Sequence, residues 1–215
     1  MLCNSVFDYF DRFLILSKKA RKKVDKTIQL KFYRKGTIVV TEGNKTQYMY
    51  IIKSGIARGF TPNSVEDVTL SLWGEHDAFG DVISYIDRQK ARKSYVMLED
   101  SFLYLVDIEA FRGLFFQDIE IANLGRILVE RFILISELQK RKNMNKTAYE
   151  KILNFMSEKP GMINRVKSKY IASYINMRPE TFSRIYKKIL KNECSCSPFT
   201  SLKETFTYIG LIGFF

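Results

Sequence analysis

Apolar residues in the first part of the chain recur at intervals of three and four. Val6, Phe7, Phe10, Phe13 and Leu14 fall on one helical face, so residues 5–26 are expected to be helical. From about Ile28 to Val106 the pattern shortens. Segments 37–41, 48–53, 68–73, 94–98 and 102–106 are brief and rich in β-branched and aromatic residues. Gly36, Gly43-Asn44, Gly55, Pro62-Asn63, Gly74, Gly80-Asp81 and Asp87 punctuate them as turns. Short strands at this spacing predict an antiparallel barrel or sandwich.

The helical period returns near Asp107. Residues 118–142 contain no Pro and only Gly125, and read as one long helix. Ile121, Leu124, Leu128, Ile135 and Leu138 fit the two apolar positions of a heptad, with Arg131 breaking one slot. Such a seam must be buried against the chain's own barrel or against a second subunit; both are expected, with the five residues as a dimer interface. A further amphipathic helix is expected over 147–158, ended by Pro160-Gly161. In residues 166–190, Ser168 is positioned to cap a helix, and Asn176 suits a left-handed turn. Pro179 then opens a second helix with Phe182, Ile185 and Ile189 on its buried side. A small residue at Ala172 and a turn four places later predict a helix-turn-helix.

Charge sharpens this picture. The chain of 215 residues carries 35 Lys and Arg against 23 Asp and Glu, a net of +12. Residues 138–193 alone hold 14 basic residues and four acids, whereas residues 1–137 hold 20 and 18. A basic run from Lys18 to Lys26 reads as a solvated helix face. An anionic partner is expected, and its place is the C-terminal third. Double-stranded DNA fits this better than a membrane surface, and no segment has the length of a membrane span. The second helix would enter the major groove. On its exposed side stand Arg178, Glu180, Thr181, Ser183, Arg184, Lys187 and Lys188. Arg184 suits a guanine edge and Glu180 a cytosine amino group. Lys167, Lys169, Lys187 and Lys188 suit phosphates.

The rest of the inventory excludes more than it offers. His76 is the only histidine, and the cysteines are Cys3, Cys194 and Cys196. Zinc sites and multi-histidine metal sites lack their ligands, no metal is expected, and no enzyme chemistry stands out. A disulfide framework is not expected, so the cytoplasm is the expected compartment. Cys194 and Cys196 read as tail cysteines without a role.

From these residues the sequence resembles the Crp/Fnr superfamily of bacterial transcription regulators, of catabolite-activator type, over residues 10–192. Three stretches carry the resemblance: 32–43 with 48–58, which look like the opening hairpins of a cyclic-nucleotide-binding jelly roll; 79–107, placed where that family keeps its phosphate-binding cassette; and 178–185, which match the recognition-helix pattern. The resemblance implies an α+β protein. Residues 1–117 would form a jelly-roll sensor domain, 118–142 a dimerisation helix, and 143–215 a winged helix-turn-helix domain. It further implies a homodimer, a near-palindromic operator and RNA polymerase as a partner.

The candidate effector pocket comprises Gly80, Asp81, Arg92 and Lys93. It departs from the family's cyclic-nucleotide binders, which carry Gly-Glu and then Arg-Ser or Arg-Thr. Here Asp81 stands for the Glu, and Lys93 replaces the hydroxyl residue. No cofactor is expected, and cyclic AMP is not the expected effector; a cyclic-nucleotide receptor is the alternative. Four-Cys iron–sulfur sensing lacks its ligands. Pro179 stands where the family often has an Arg, which implies a different operator. Residues 192–215 lack the pattern of a wing.

Overall fold

In place of one N-terminal helix the chain forms two. The computed structural model describes residues 5–62, 67–81, 84, 86, 87, 89–142 and 146–195. Helix α1 (Phe7–Phe10) and helix α2 (Lys18–Asp25) are separated by a non-helical stretch. Ser17 causes the break: it sits in an extended conformation, and its side chain accepts the Ala20 N–H as the N-cap of α2. The apolar residues expected on one helix still share one core. Val6 and Phe10 are buried with Ala20 and Val24 of α2, and the Phe10 ring stacks on Phe111 at 6.3 Å.

Among the described residues eight strands follow: β1 (Ile28–Tyr33), β2 (Ile38–Val40), β3 (Tyr48–Ser54), β4 (Ala57–Thr61), β5 (Val68–Trp73), β6 (Ala78–Phe79), β7 (Ser94–Met97) and β8 (Ser101–Asp107). They form two antiparallel four-stranded sheets, ordered β1-β8-β3-β6 and β2-β7-β4-β5. The five expected segments are all strands. Strands β1, β4 and β6 complete the set. Between the sheets, Tyr50, Ile52, Tyr95, Met97, Leu103 and Leu105 form a buried core. Gly55 makes the β3–β4 turn with φ +114°, and a Cβ there would lie 2.0 Å from Ser101 Oγ, so the turn requires glycine.

Helix α3 (Ile108–Gly113) is N-capped by Asp107, and a 3-10 turn at Leu114–Phe116 leads to helix α4 (Ile119–Lys142). Ile121 and Leu124 of α4 are wholly buried in the cluster of Phe10, Val24 and Phe111. Glycine at 125 lets the Phe115 ring lie on the helix, where a Cβ would come within 2.2 Å of it. Helix α5 (Ala148–Glu158) opens with a capping box between Thr147 and Glu150. A 3-10 turn at Pro160–Met162 ends it, as the proline-glycine pair implied.

Helix α6 (Ser168–Tyr174) and helix α7 (Pro179–Ser195) come last among the described residues. Lys167, not Ser168, is the N-cap of α6, without a side-chain cap bond. Asn176 takes the left-handed conformation the turn requires, with φ +54°. Ile171, Ala172, Ile175, Phe182 and Ile189 are buried together with Ile152 and Phe155 of α5. Ile56 of the β3–β4 turn and Leu72 of β5 belong to that same cluster, so the helical unit is docked against the β domain. The tail expectations for Cys196 and residues 197–215 lie outside the described residues, as does Cys3. No helix among the described residues is long and apolar enough to cross a membrane.

Candidate nucleic-acid interface and barrel interior

The first turn of α7 explains how its face is presented. Pro179 starts the helix, and Phe182 N–H bonds to the Arg178 carbonyl. Burial of Phe182 and Ile189 fixes the rotation about the helix axis. The opposite side is then left to solvent. Glu180, Ser183, Arg184, Lys187, Lys188 and Lys191 line one open groove of about 460 Å³ on that side. Thr181 is half-buried beside Phe182. Four cations and one carboxylate on one helical face form a strongly positive surface with a hydrogen-bonding acceptor near its N-terminal end.

Lys167, Lys169 and Arg178 are exposed but elsewhere. Lys169 and Arg178 line a second cleft, of about 630 Å³, between α6–α7 and strands β4–β5. Arg58 and Asp67 form the barrel side of it. Arg58 was not legible as a site residue, although a cation inside the apolar run Ile56-Ala57-Arg58-Gly59-Phe60 was its signal. Its side chain is buried, and Nε donates to Thr69 Oγ1 at 2.8 Å. The guanidinium lies over the Tyr170 ring of α6 at 4.1 Å and over Phe60 at 4.6 Å. Burial lowers its pKa, while Tyr170 and Asp67 oppose that shift.

The candidate effector residues do not converge as expected. Asp81 is buried, and both of its carboxylate oxygens are engaged by its own loop. Oδ1 accepts the Ser84 N–H at 3.2 Å, and Oδ2 accepts the Arg92 N–H at 2.8 Å. The Arg92 guanidinium points outward and pairs loosely with Asp87 at 3.8 Å. Gly80 has φ +154°, and a Cβ there would lie 3.4 Å from the Tyr48 carbonyl oxygen. Lys93 instead turns inward, with Nζ 5.6 Å from the Trp73 ring centre and 5.5 Å from that of Tyr95. Burial lowers its pKa, and Asp81 opposes that. Phe79 stacks on Tyr50 at 5.1 Å, on Trp73 at 5.5 Å and on Tyr95 at 5.5 Å. The interior beside Lys93 is therefore a block of four rings. Burial pushes the Tyr95 hydroxyl well above its ordinary pKa, and that hydroxyl has no hydrogen-bond partner.

The expected dimer seam divides along α4. Ile121 and Leu124 are consumed by the chain's own core, and Leu128 packs against it. The start of the helix packs on the N-terminal helices and on Phe111 and Phe115. Ile135 and Leu138 are exposed, together with Ile133 and Leu134. Among the described residues no group of three His, Cys, Asp or Glu side chains is placed to hold a metal.

Two antiparallel four-stranded sheets are thus followed by a long helix and a docked helical unit. Residues 30–118 match the family model of the cyclic nucleotide-binding domain. Over most of the chain the fold is similar to that of solved Crp/Fnr-type regulators. FixK2 from Bradyrhizobium japonicum is 18% identical, with a TM-score of 0.65, covering 77% of this chain and 86% of its own. The c-di-GMP responsive global regulator CLP of Xanthomonas campestris is 14% identical, with a TM-score of 0.60, covering 82% and 93%. A Eubacterium rectale protein described as a transcriptional regulator of the Crp/Fnr family is 17% identical, at 0.60, covering 82% and 85%. No curated protein matches the sequence. The chain is therefore Crp/Fnr-like in fold, with a cyclic nucleotide-binding-type domain at its core.

Proposed function

We propose that this chain is a sequence-specific DNA-binding transcription regulator that acts as a homodimer and not as an enzyme. Residues 1–117 are its jelly-roll sensor domain, 118–142 its dimer helix and 143–215 its helix-turn-helix unit. The observation that carries the reading is the outer face of α7. Glu180, Ser183 and Arg184 stand ready for base edges, while Lys187, Lys188 and Lys191 flank them for phosphates. Lys167 and Lys169 extend the phosphate contacts, and Arg178 and Thr181 lie at the helix entrance. The exposed Ile135 and Leu138 are the part of the seam left for a second copy. RNA polymerase is the partner such a regulator would meet on DNA.

The experiment is selection of bound DNA from a random pool, with the protein and with Arg184→Ala. The protein enriches a near-palindromic motif; the variant relaxes one base position per half-site and costs about 1–3 kcal/mol. A pool without any enriched motif defeats the reading.

The barrel is not fitted to a cyclic nucleotide in this reading. Asp81 is engaged by the backbone N–H groups of Ser84 and Arg92, the Arg92 side chain faces outward, and Lys93 turns in toward the Trp73 and Tyr95 rings. A calorimetric titration with cyclic AMP or cyclic GMP at millimolar concentration is expected to give no binding heat. Heat that disappears in Arg92→Ala establishes the alternative, a cyclic-nucleotide receptor.

A further inference from the structure

Arg165 lies in the turn between the Pro160–Met162 3-10 turn and α6, and it carries the most extensive ion pairing between the helical unit and the barrel. Its Nη2 and Nη1 donate to the two oxygens of Glu75, at 2.6 and 3.1 Å. Its Nε donates to Glu99 Oε2 at 3.3 Å, and Nη2 also reaches Glu99 Oε1. Glu75 belongs to the β5–β6 loop and Glu99 to the β7–β8 turn. Glu75 Oε1 also accepts the Gly55 N–H of the β3–β4 turn at 3.1 Å. One guanidinium thus gathers three loops at one end of the barrel.

The surrounding contacts differ in kind. Val166, the next residue, is buried with Ile56 and Leu72. Apolar burial holds surfaces together but has no direction of its own. The directional contacts are few: the fork itself, Thr69 N–H to Ser173 Oγ at 2.9 Å, Arg58 over Tyr170, and Lys159 with Asp77 at 3.5 Å. Of these the planar fork constrains orientation most, because its donors match two carboxylates in one plane.

We infer that Arg165 is a positioning residue for DNA recognition: it fixes the angle at which α6 and α7 stand on the barrel. This rests on the reading of α7 as the DNA-reading helix. In a two-fold dimer the two recognition helices must lie about one turn of DNA apart. A rotation of each helical unit on its barrel changes that separation without touching any reading residue.

The test measures orientation and DNA binding separately, on the full chain. Spin labels go on Glu42→Cys and Ser157→Cys, with Cys3, Cys194 and Cys196 changed to Ser. With the labelled chain diluted into an excess of unlabelled chain, so that only the pair within one chain is read, the parent gives one narrow distance distribution. Arg165→Ala, Arg165→Lys and the double variant Glu75→Gln/Glu99→Gln broaden it, since lysine keeps the charge and loses the fork. In parallel, Arg165→Ala lowers affinity for a two-half-site operator about tenfold and flattens the preference among half-site spacings. Its affinity for a single half-site is unchanged.

A narrow, unshifted distribution in folded Arg165→Ala overturns the inference, and so does broadening with an intact spacing preference. If Arg165→Ala does not fold by circular dichroism, Glu99→Gln alone takes its place in both measurements. If the parent selects no DNA motif, the distance data still judge the fork, and it is the DNA reading that has failed.

Discussion

Single residues decide several features of this molecule. Gly55 is required twice over, by its positive φ and by the Ser101 side chain that occupies the place of a Cβ. Gly55→Ala is expected to cost about 2–3 kcal/mol in a urea titration, within the range for overpacking. The same residue holds Glu75, whose carboxyl shows a contest of causes. Burial raises its pKa, but hydrogen bonds from Arg165 and from the Gly55 N–H outweigh that and hold it at about 2, below the ordinary 4.5. A depressed carboxyl stabilises the fold above its unfolded pKa. Its contribution is therefore complete from about pH 5 upward and is lost as the pH falls toward 2. Unfolding followed from pH 7 to pH 2 should show this loss in the parent and a shallower one in Glu75→Gln. The Arg165 guanidinium is pushed up by Glu75 and Glu99 and stays charged throughout. None of these three partners was legible from spacing, because 66 and 90 residues separate Arg165 from Glu99 and Glu75. Asn176 was legible, because its left-handed conformation is a local property of the turn.

At the scale of elements, periodicity found most strands with a buried face but passed over β4, which is buried at four of its five positions. Strands β3, β5, β7 and β8 each bury at least one face and were visible. Strand β1 is largely exposed along its length and shows no alternation of burial, so its β character comes from pairing with β8. The N-terminal helix divided because a local cap at Ser17 overrode a continuous apolar stripe. Helix α4 was found within a residue of its expected start, yet its stripe serves two purposes. Leu124→Ala is expected to cost about 2–5 kcal/mol of stability, as for any fully buried leucine. Ile135→Lys with Leu138→Lys should leave the unfolding midpoint of the isolated chain nearly unchanged. In sedimentation the same pair should shift dimer toward monomer; an unshifted dimer removes those residues from the interface.

Across the whole molecule, the uneven charge was read directly from the sequence, and the structure concentrates it further. Six groove-lining residues of α7 include four cations on one open face. Binding through that face predicts a steep fall of affinity with salt, and Lys187→Ala should reduce the slope of log affinity against log salt by about one. What no pattern along the chain foretold is that the helical unit shares a core with the barrel through Ile56 and Leu72. That docking has an optical consequence. Trp73 is the single tryptophan of the chain, paired across from Ala57 at the end of β5. The neighbouring Gly74 is met by the Met162 side chain of the docked unit, and the indole itself stacks on Phe79 beside the Lys93 ammonium. The protein thus carries its one indole fluorophore, selectively excitable apart from the tyrosines, at the junction of its two parts. Undocking of the helical unit should be visible as a red shift and a change in quenching of its emission, with no label added.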